Sequence, residues 1–211
     1  MAPIPATIYL GENDISFEKE CSKSDMIVLL TFLNRCSKQV LQAIADCRHN
    51  KKLNIELKIV GVDTAHRREK IEAYSHELNI SEQVSFFGKT AKSDVASVFS
   101  SSDIFLHVEF VSGRGEGGVC SKSTVIAAAM AAGMPIIGTC GDMTDTSLFR
   151  NGENILFADY SSFESIQARI EQLYSDKTLR LNLGSNALKT YKAFFAWERS
   201  VQMYESEFAR H

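Results

Sequence analysis

Two stretches of the sequence hold residue types at a spacing that could do chemistry. At 117–135, "GGVCSKSTVIAAAMAAGMP", two glycines and a hydroxyl-rich cluster holding Lys122 run straight into small apolar residues that stop at Gly133 and Pro135. Ser121, Ser123 and Thr124 are capping candidates and Gly-x-Pro is a breaker, so the stretch predicts a helix with hydroxyls at its start. Gly118 permits close backbone approach, the hydroxyls can cap or donate, and Lys122 adds charge; together they suit an anion at a helix N-terminus. A well-capped buried helix accounts for the same residues, and the alanines speak for close packing. At 34–38, "NRCSK" sets Arg35 and Lys38 around a second predicted helix start. There dipole and side-chain charge would act together on a diphosphate; two solvated surface charges is the other reading.

The remaining candidates are weaker. "GRGEGG" at 113–118 is rich in backbone freedom and has Glu116 as its one carboxylate. "FFGKT" at 86–90 closes a predicted strand with Phe87, Gly88 and Lys89, which a turn explains as well as a base-contacting loop does. His107 ends another predicted strand, where a structural histidine is the leading reading. Asp142 and Asp145 follow a further strand, the latter as a helix-cap candidate. These residues assemble into no paired-carboxylate, Ser-His-Asp or metal-spaced constellation. The pattern G-x-x-x-x-G-K-[ST] does not occur in this glycine-rich stretch, so a triphosphate hydrolase is not supported.

The elements that must position these residues follow from hydrophobic patterning. Continuous apolar runs at 26–33, 55–61 and 83–88 suit strands buried on both faces. Between them, 37–50 and 65–79 carry apolar residues at helical spacing. The alternation continues with a helix at 92–102, a strand at 103–108, the alanine-rich helix, and strands at 135–139 and 154–158. Strands separated by helices imply right-handed crossovers, hence an α/β fold with a Rossmann-like, doubly wound parallel sheet of about six strands. Beyond 160 the pattern is helical only. Ligands of such sheets lie beyond the carboxyl ends of the strands, which selects the loops at 34–38, 61–66, 87–92, 107–122 and 138–145.

Composition bounds the function. The chain has 211 residues, 45% apolar and 23% charged, ordinary for one globular domain. Its net charge of -3 carries no global basic field for nucleic acid. Five cysteines, odd in number and without a C-x-x-C pair, argue for reduced thiols rather than a disulfide framework or zinc site. No apolar run suits a membrane span, and the start "MAPIPATIYL" lacks the pattern of a signal peptide. The expected location is cytoplasmic, at most peripheral to a membrane.

Taken in order, these pieces resemble the C-terminal, donor-binding domain of glycosyltransferase family 4 (group 1), with the GT-B fold. The resemblance runs through "PIPATI", "LLTFLNRCSK", "LKIVG", "VSFFGKT", "DIFLHV", "VIAAAMAAGMPIIGT", "FRNGENILF" and "FFAWERSVQMYESEF". It implies a segment at 1–25 leading in from a neighbouring domain, a Rossmann-like nucleotide-sugar-binding domain at 26–160, and C-terminal helices at 161–211 packing on that domain. It implies a UDP-, GDP- or ADP-sugar donor, no cofactor and no metal, with sugar passing to an acceptor in cell-surface polysaccharide or glycolipid synthesis. Arg35, Lys38 and the helix start at Ser121, Lys122, Ser123 and Thr124 would hold the diphosphate. Phe87, Gly88 and Lys89 would face the base and Glu116 the donor sugar, and no residue is singled out as catalytic.

Two departures from the family pattern stand out. That pattern places one glutamate near the donor sugar and a second near the ribose; here they would fall on Cys120 and Ala128, with Glu116 four residues before the first. Arg35 and Lys38 also lie closer together than the usual basic pair. In addition, a complete GT-B enzyme needs two such domains, roughly 350 residues or more on ordinary domain sizes. The chain is therefore expected to bind a nucleotide or nucleotide-sugar weakly, and to transfer no sugar without an acceptor-binding N-terminal domain. A nucleotide-binding regulatory module with a degenerate donor site is the alternative.

Overall fold

The apolar runs pair as strands; Ile27–Phe32, Ile104–His107 and Ile136–Gly138 are buried on both faces, whereas the run at 83–88, expected to be buried likewise, forms an edge strand with no fully buried residue. The computed structural model describes residues 26–62, 66–88 and 92–208. Strands β1 (Ile27–Phe32), β2 (Ile55–Val60), β3 (Val84–Phe87), β4 (Ile104–His107), β5 (Ile136–Gly138) and β6 (Leu156–Phe157) form one sheet in the order β3-β2-β1-β4-β5-β6. Every pairing is parallel, with Leu29 of β1 set between Leu57 and Ile104. The helices are α1 (Lys38–His49), α2 (Arg67–Glu77), α3 (Lys92–Ser100), α4 (Thr124–Ala131), α5 (Phe163–Ser175), α6 (Lys177–Thr190) and α7 (Trp197–Phe208).

Strand periodicity divides the core into two layers. Leu29, Ile104, Leu106 and Ile137 face one side, packed with α1, α2 and α5; Leu30, Phe105 and Ile136 face the other, packed with α3, α4 and α6. Covering both faces is what makes the strands read as continuous apolar runs. Thr31, buried within β1, satisfies its hydroxyl by donating to the Leu106 carbonyl at 2.9 Å.

The alanine-rich helix ends where its sequence signals place the ends. Ser123 is the N-cap of α4, its Oγ accepting from the Ile126 amide at 3.4 Å. At the other end Gly133 takes φ +54°, its N–H bonds Met130 O, and the Met134 N–H bonds Ala129 O. That pair of bonds is a Schellman motif, which needs a left-handed residue at that position. Residues Ile126 to Ala131 are all buried, so the small side chains serve close packing on the sheet.

The helical pattern expected beyond residue 160 changes its winding after α6. After α6 the chain widens into a π-helical turn, Tyr191–Phe195, closed by the Ala196 N–H on Tyr191 O at 3.0 Å. This turn carries Phe195 into the core against Phe149, ring centroids 6.1 Å apart. Buried Asn154 ties the same region together. Its amide donates to Leu148 O and to Thr190 Oγ1 on α6, while its Oδ1 accepts from the Arg150 amide.

Candidate functional site

The strand order reverses between β1 and β4, and there the loops leaving the two carboxyl ends diverge to opposite sides, opening a crevice. A cavity of about 420 Å³ lies at this edge. It is lined by residues 34–39 of the β1–α1 connection, Arg67 after β2, Val108, Glu109 and Phe110 after β4, and Tyr160 after β6. Ser37 begins α1 as its N-cap, accepting from the Val40 amide at 3.3 Å. The cavity thus faces a capped helix start with Arg35 and Lys38 on either side of the cap.

Three cations line the cavity, and each has an internal partner. Arg35 forms an ion pair with Glu109, the arginine side chain 32% exposed and the glutamate 15%. Lys38 Nζ lies over the Tyr74 ring, 4.9 Å from its centroid, a cation–π contact. Arg67 Nη1 donates to Asn34 O at 2.9 Å. Burial pushes the thiol of Cys36, also in the lining, up to about 12, so it presents a neutral group and no nucleophile.

Glu109 is fixed from several directions. Its amide donates to Thr139 Oγ1 at 3.1 Å, and that hydroxyl donates to the Glu109 carbonyl at 3.0 Å. His107 Nε2 stands 3.3 Å from Glu109 Oε1. The histidine is fully buried and neither ring nitrogen makes an aligned hydrogen bond, so this is a close contact of the ring edge with the carboxylate. Burial pushes His107 below its ordinary value although Glu109 pulls the other way. Burial would likewise raise the Glu109 carboxyl, but His107 and Arg35 beside it hold it below the usual range. The carboxylate is therefore anionic at neutral pH beside a neutral imidazole.

The other predicted residues stand elsewhere. Ser121, Lys122, Ser123 and Thr124 sit at the start of α4, Lys122 exposed, and the Ser123 hydroxyl is taken up as the cap. Phe87 ends β3 half-buried, and Gly88 follows it exposed; Lys89 lies outside the described residues. Glu116 is exposed and accepts from Ser112 Oγ at 3.0 Å. None of the described ones among them lines the cavity. Of the glycines of "GRGEGG", Gly117 and Gly118 serve close backbone packing, while Gly113 and Gly115 have open space around them. A Cβ on Gly118, at φ +88°, would stand 2.4 Å from Gly141 N, and Asp142 Oδ1 accepts from the Gly117 amide at 2.8 Å. Asp145 closes its own turn by accepting from the Ser147 amide at 3.0 Å.

Arg35 and Lys38 were thus legible as a pair, while Glu109, Arg67 and Tyr160 were not singled out. A signal existed for Glu109: it lies two residues beyond His107, at the two-residue period of an extended chain. Arg67 fell one residue past the loop expected after β2.

Comparison with known proteins places the fold. The family model for glycosyl transferases group 1 matches residues 29–190. The chain belongs to this family. A curated relative, an uncharacterized glycosyltransferase of Methanocaldococcus jannaschii, is 27% identical over 95% of the chain and 49% of its own length. The chain therefore spans about half the length of that relative. Anabaena HepE, solved in complex with UDP-glucose, superposes with TM-score 0.73 at 16% identity, over 99% of this chain and 56% of HepE. The C-terminal domain of the group 1 protein LpcC from Francisella tularensis matches with TM-score 0.63 at 17% identity, over 90% of this chain and 94% of that domain.

The group 1 match begins inside β1 and ends at the last residue of α6, so it takes in every loop that lines the cavity. The six-stranded parallel sheet with flanking helices is the Rossmann-like unit of GT-B glycosyltransferases. Among the described residues, no helix is long and apolar enough to cross a membrane.

Proposed function

We propose that this chain is the donor-binding half of a glycosyltransferase that takes a sugar from a nucleotide-diphosphate sugar and passes it to an acceptor in cell-surface polysaccharide or glycolipid synthesis. The observation that carries the reading is the gathering of Arg35, Lys38 and Arg67 around one cavity at the carboxyl ends of β1, β2 and β4. Negative charge grows on the diphosphate as the glycosidic bond to it breaks, and fixed cations stabilise that charge more in the transition state than in the ground state. Arg35 offers a planar fork suited to phosphate oxygens, and Lys38 a compact point charge. Ser121, Lys122, Ser123 and Thr124 reach the diphosphate from α4, Phe87 to Lys89 face the base, and Glu116 faces the sugar. The donor is a UDP-, GDP- or ADP-sugar, with no cofactor. An N-terminal domain holds the acceptor, and the complete protein is cytoplasmic and at most peripheral to a membrane.

The second reading is a nucleotide-binding regulatory module. It is favoured by Ala128, fully buried in α4, and by Cys120, the residues standing where the family pattern has its two glutamates. Calorimetric titration of UDP, GDP and ADP tests the donor site, with Arg35→Ala and Lys122→Ala as controls. Binding of one nucleotide, weakened about tenfold or more in each variant, is expected for charge-assisted contacts to phosphate. If none binds at millimolar concentration, the donor assignment fails.

A further inference from the structure

Glu109 is a carboxylate in a cavity otherwise built for anions, and it is not a loose surface side chain. Buried Thr139 holds its backbone on both sides, buried His107 braces its Oε1 at 3.3 Å, and Arg35 closes on the same oxygen. A carboxylate fixed in this way presents its charge to whatever enters the cavity. An anion arriving at Arg35 meets a guanidinium whose charge is already matched, and it feels the repulsion of Glu109 as well.

Resting on the donor-site reading above, we propose that Glu109 is an internal competitor for the diphosphate: a fixed carboxylate that occupies Arg35, whose pairing with Arg35 must break when the ligand binds and re-forms as the ligand leaves. The ligand class is a pyrophosphate ester or pyrophosphate itself, because the carboxylate must be outmatched by an anion that engages more than one cation of the cavity. Lys38 and Arg67 are the other two; Lys38 lies over a ring face, and one Arg67 contact is to a backbone carbonyl. The Tyr74 ring bears no full charge, so Lys38 yields to an anion more readily than Glu109 yields Arg35. The outcome is a cavity that takes a diphosphate and does not hold it long. Short residence suits a transferase, since release of the nucleotide product limits many such cycles.

The test is titration of inorganic pyrophosphate, with dissociation rates by stopped flow, into the native chain, Glu109→Gln and Arg35→Ala/Glu109→Gln. Glu109→Gln is expected to bind pyrophosphate at least about tenfold tighter, mainly through slower dissociation, and the double variant is expected to lose that gain. A Glu109→Gln protein that binds no tighter than native overturns the proposal, as does a gain that survives without Arg35. Absence of pyrophosphate binding to both proteins at millimolar concentration overturns it equally. Should Glu109→Gln lose its cooperative melting transition, Glu109→Asp, whose shorter side chain draws back from Arg35, supplies the same comparison. Parallel titrations with UDP, GDP and ADP separate the two ideas. Nucleotide binding without any gain in Glu109→Gln sinks the competitor and leaves the donor site; a pyrophosphate gain with no nucleotide binding does the reverse.

Discussion

His107 shows what a single residue contributes at this site. Its imidazole is buried between Phe105, ring centroids 5.8 Å apart, and the Glu109 carboxylate. Burial holds its proton affinity down in the folded chain, whereas the unfolded chain binds a proton at the ordinary value of 6.5. As pH falls through 6.5 the unfolded state takes up a proton that the native state resists, so stability declines with acidification in that window. Glu109 adds a second stage with the same sign. Its folded value lies below 4.5, so its contribution is present above that pH and is lost as pH falls through the folded value. We predict that His107→Phe, whatever its melting temperature at pH 7, shows a smaller drop between pH 7 and 5.5 than the native chain. An unchanged drop, followed by circular dichroism, would show that His107 is not the titrating group. Arg35 and Lys38 were legible in the sequence because they flank a capping serine in one short stretch. The His107–Glu109 pair was not, because its meaning depends on Arg35 arriving from another strand.

At the level of elements, α4 and its preceding loop separate what capping rules reveal from what they miss. Ser123, Gly133 and Pro135 marked the ends of α4 because caps are local, formed by residues within one turn of each other. The role of Gly118 was hidden. Its freedom serves a contact with Gly141 backbone, from a different loop, rather than approach to a ligand. We expect Gly118→Ala to cost about 3 kcal/mol, the strain of a non-glycine residue at positive φ together with displacement of backbone. For a chain of this size that corresponds to a fall in melting temperature of roughly 6–12 °C. Gly113→Ala, where no atom lies within 4 Å of a new Cβ, should change it little. Equal effects of the two substitutions would refute the packing role. The π-helical turn Tyr191–Phe195 was also invisible, since its cause is the seating of Phe195 against Phe149, a contact remote in sequence.

For the whole molecule, the decisive proportion is that the chain covers about half of its curated relative, 49% of that length. The cavity opens at the carboxyl edge of the sheet and is lined by residues that follow β1, β2, β4 and β6. A transfer reaction also needs a surface that brings an acceptor hydroxyl within reach of the sugar carbon, and positioning of that kind supplies a large part of the acceleration. We therefore predict that this chain alone binds donor nucleotide without transferring sugar. Incubation with radiolabelled UDP-, GDP- or ADP-glucose and a polysaccharide or glycolipid acceptor should leave all label in the donor. Label recovered in the acceptor would overturn the prediction.

What the sequence determined by itself is the α/β order of elements, the helix ends with local caps, and the family. Each is written in nearest-neighbour spacing: apolar runs for strands covered on both faces, 3.6-residue periodicity for helices, and an ordered series of short motifs. The tertiary structure alone decided which loops share a cavity and which cations there are already paired. Those facts depend on strand order, and the β3-β2-β1-β4-β5-β6 arrangement brings Glu109 from β4 to Arg35 from β1 across a long separation in the chain. No local period encodes such a pairing, because the two residues meet only through the parallel alignment of strands that are not consecutive.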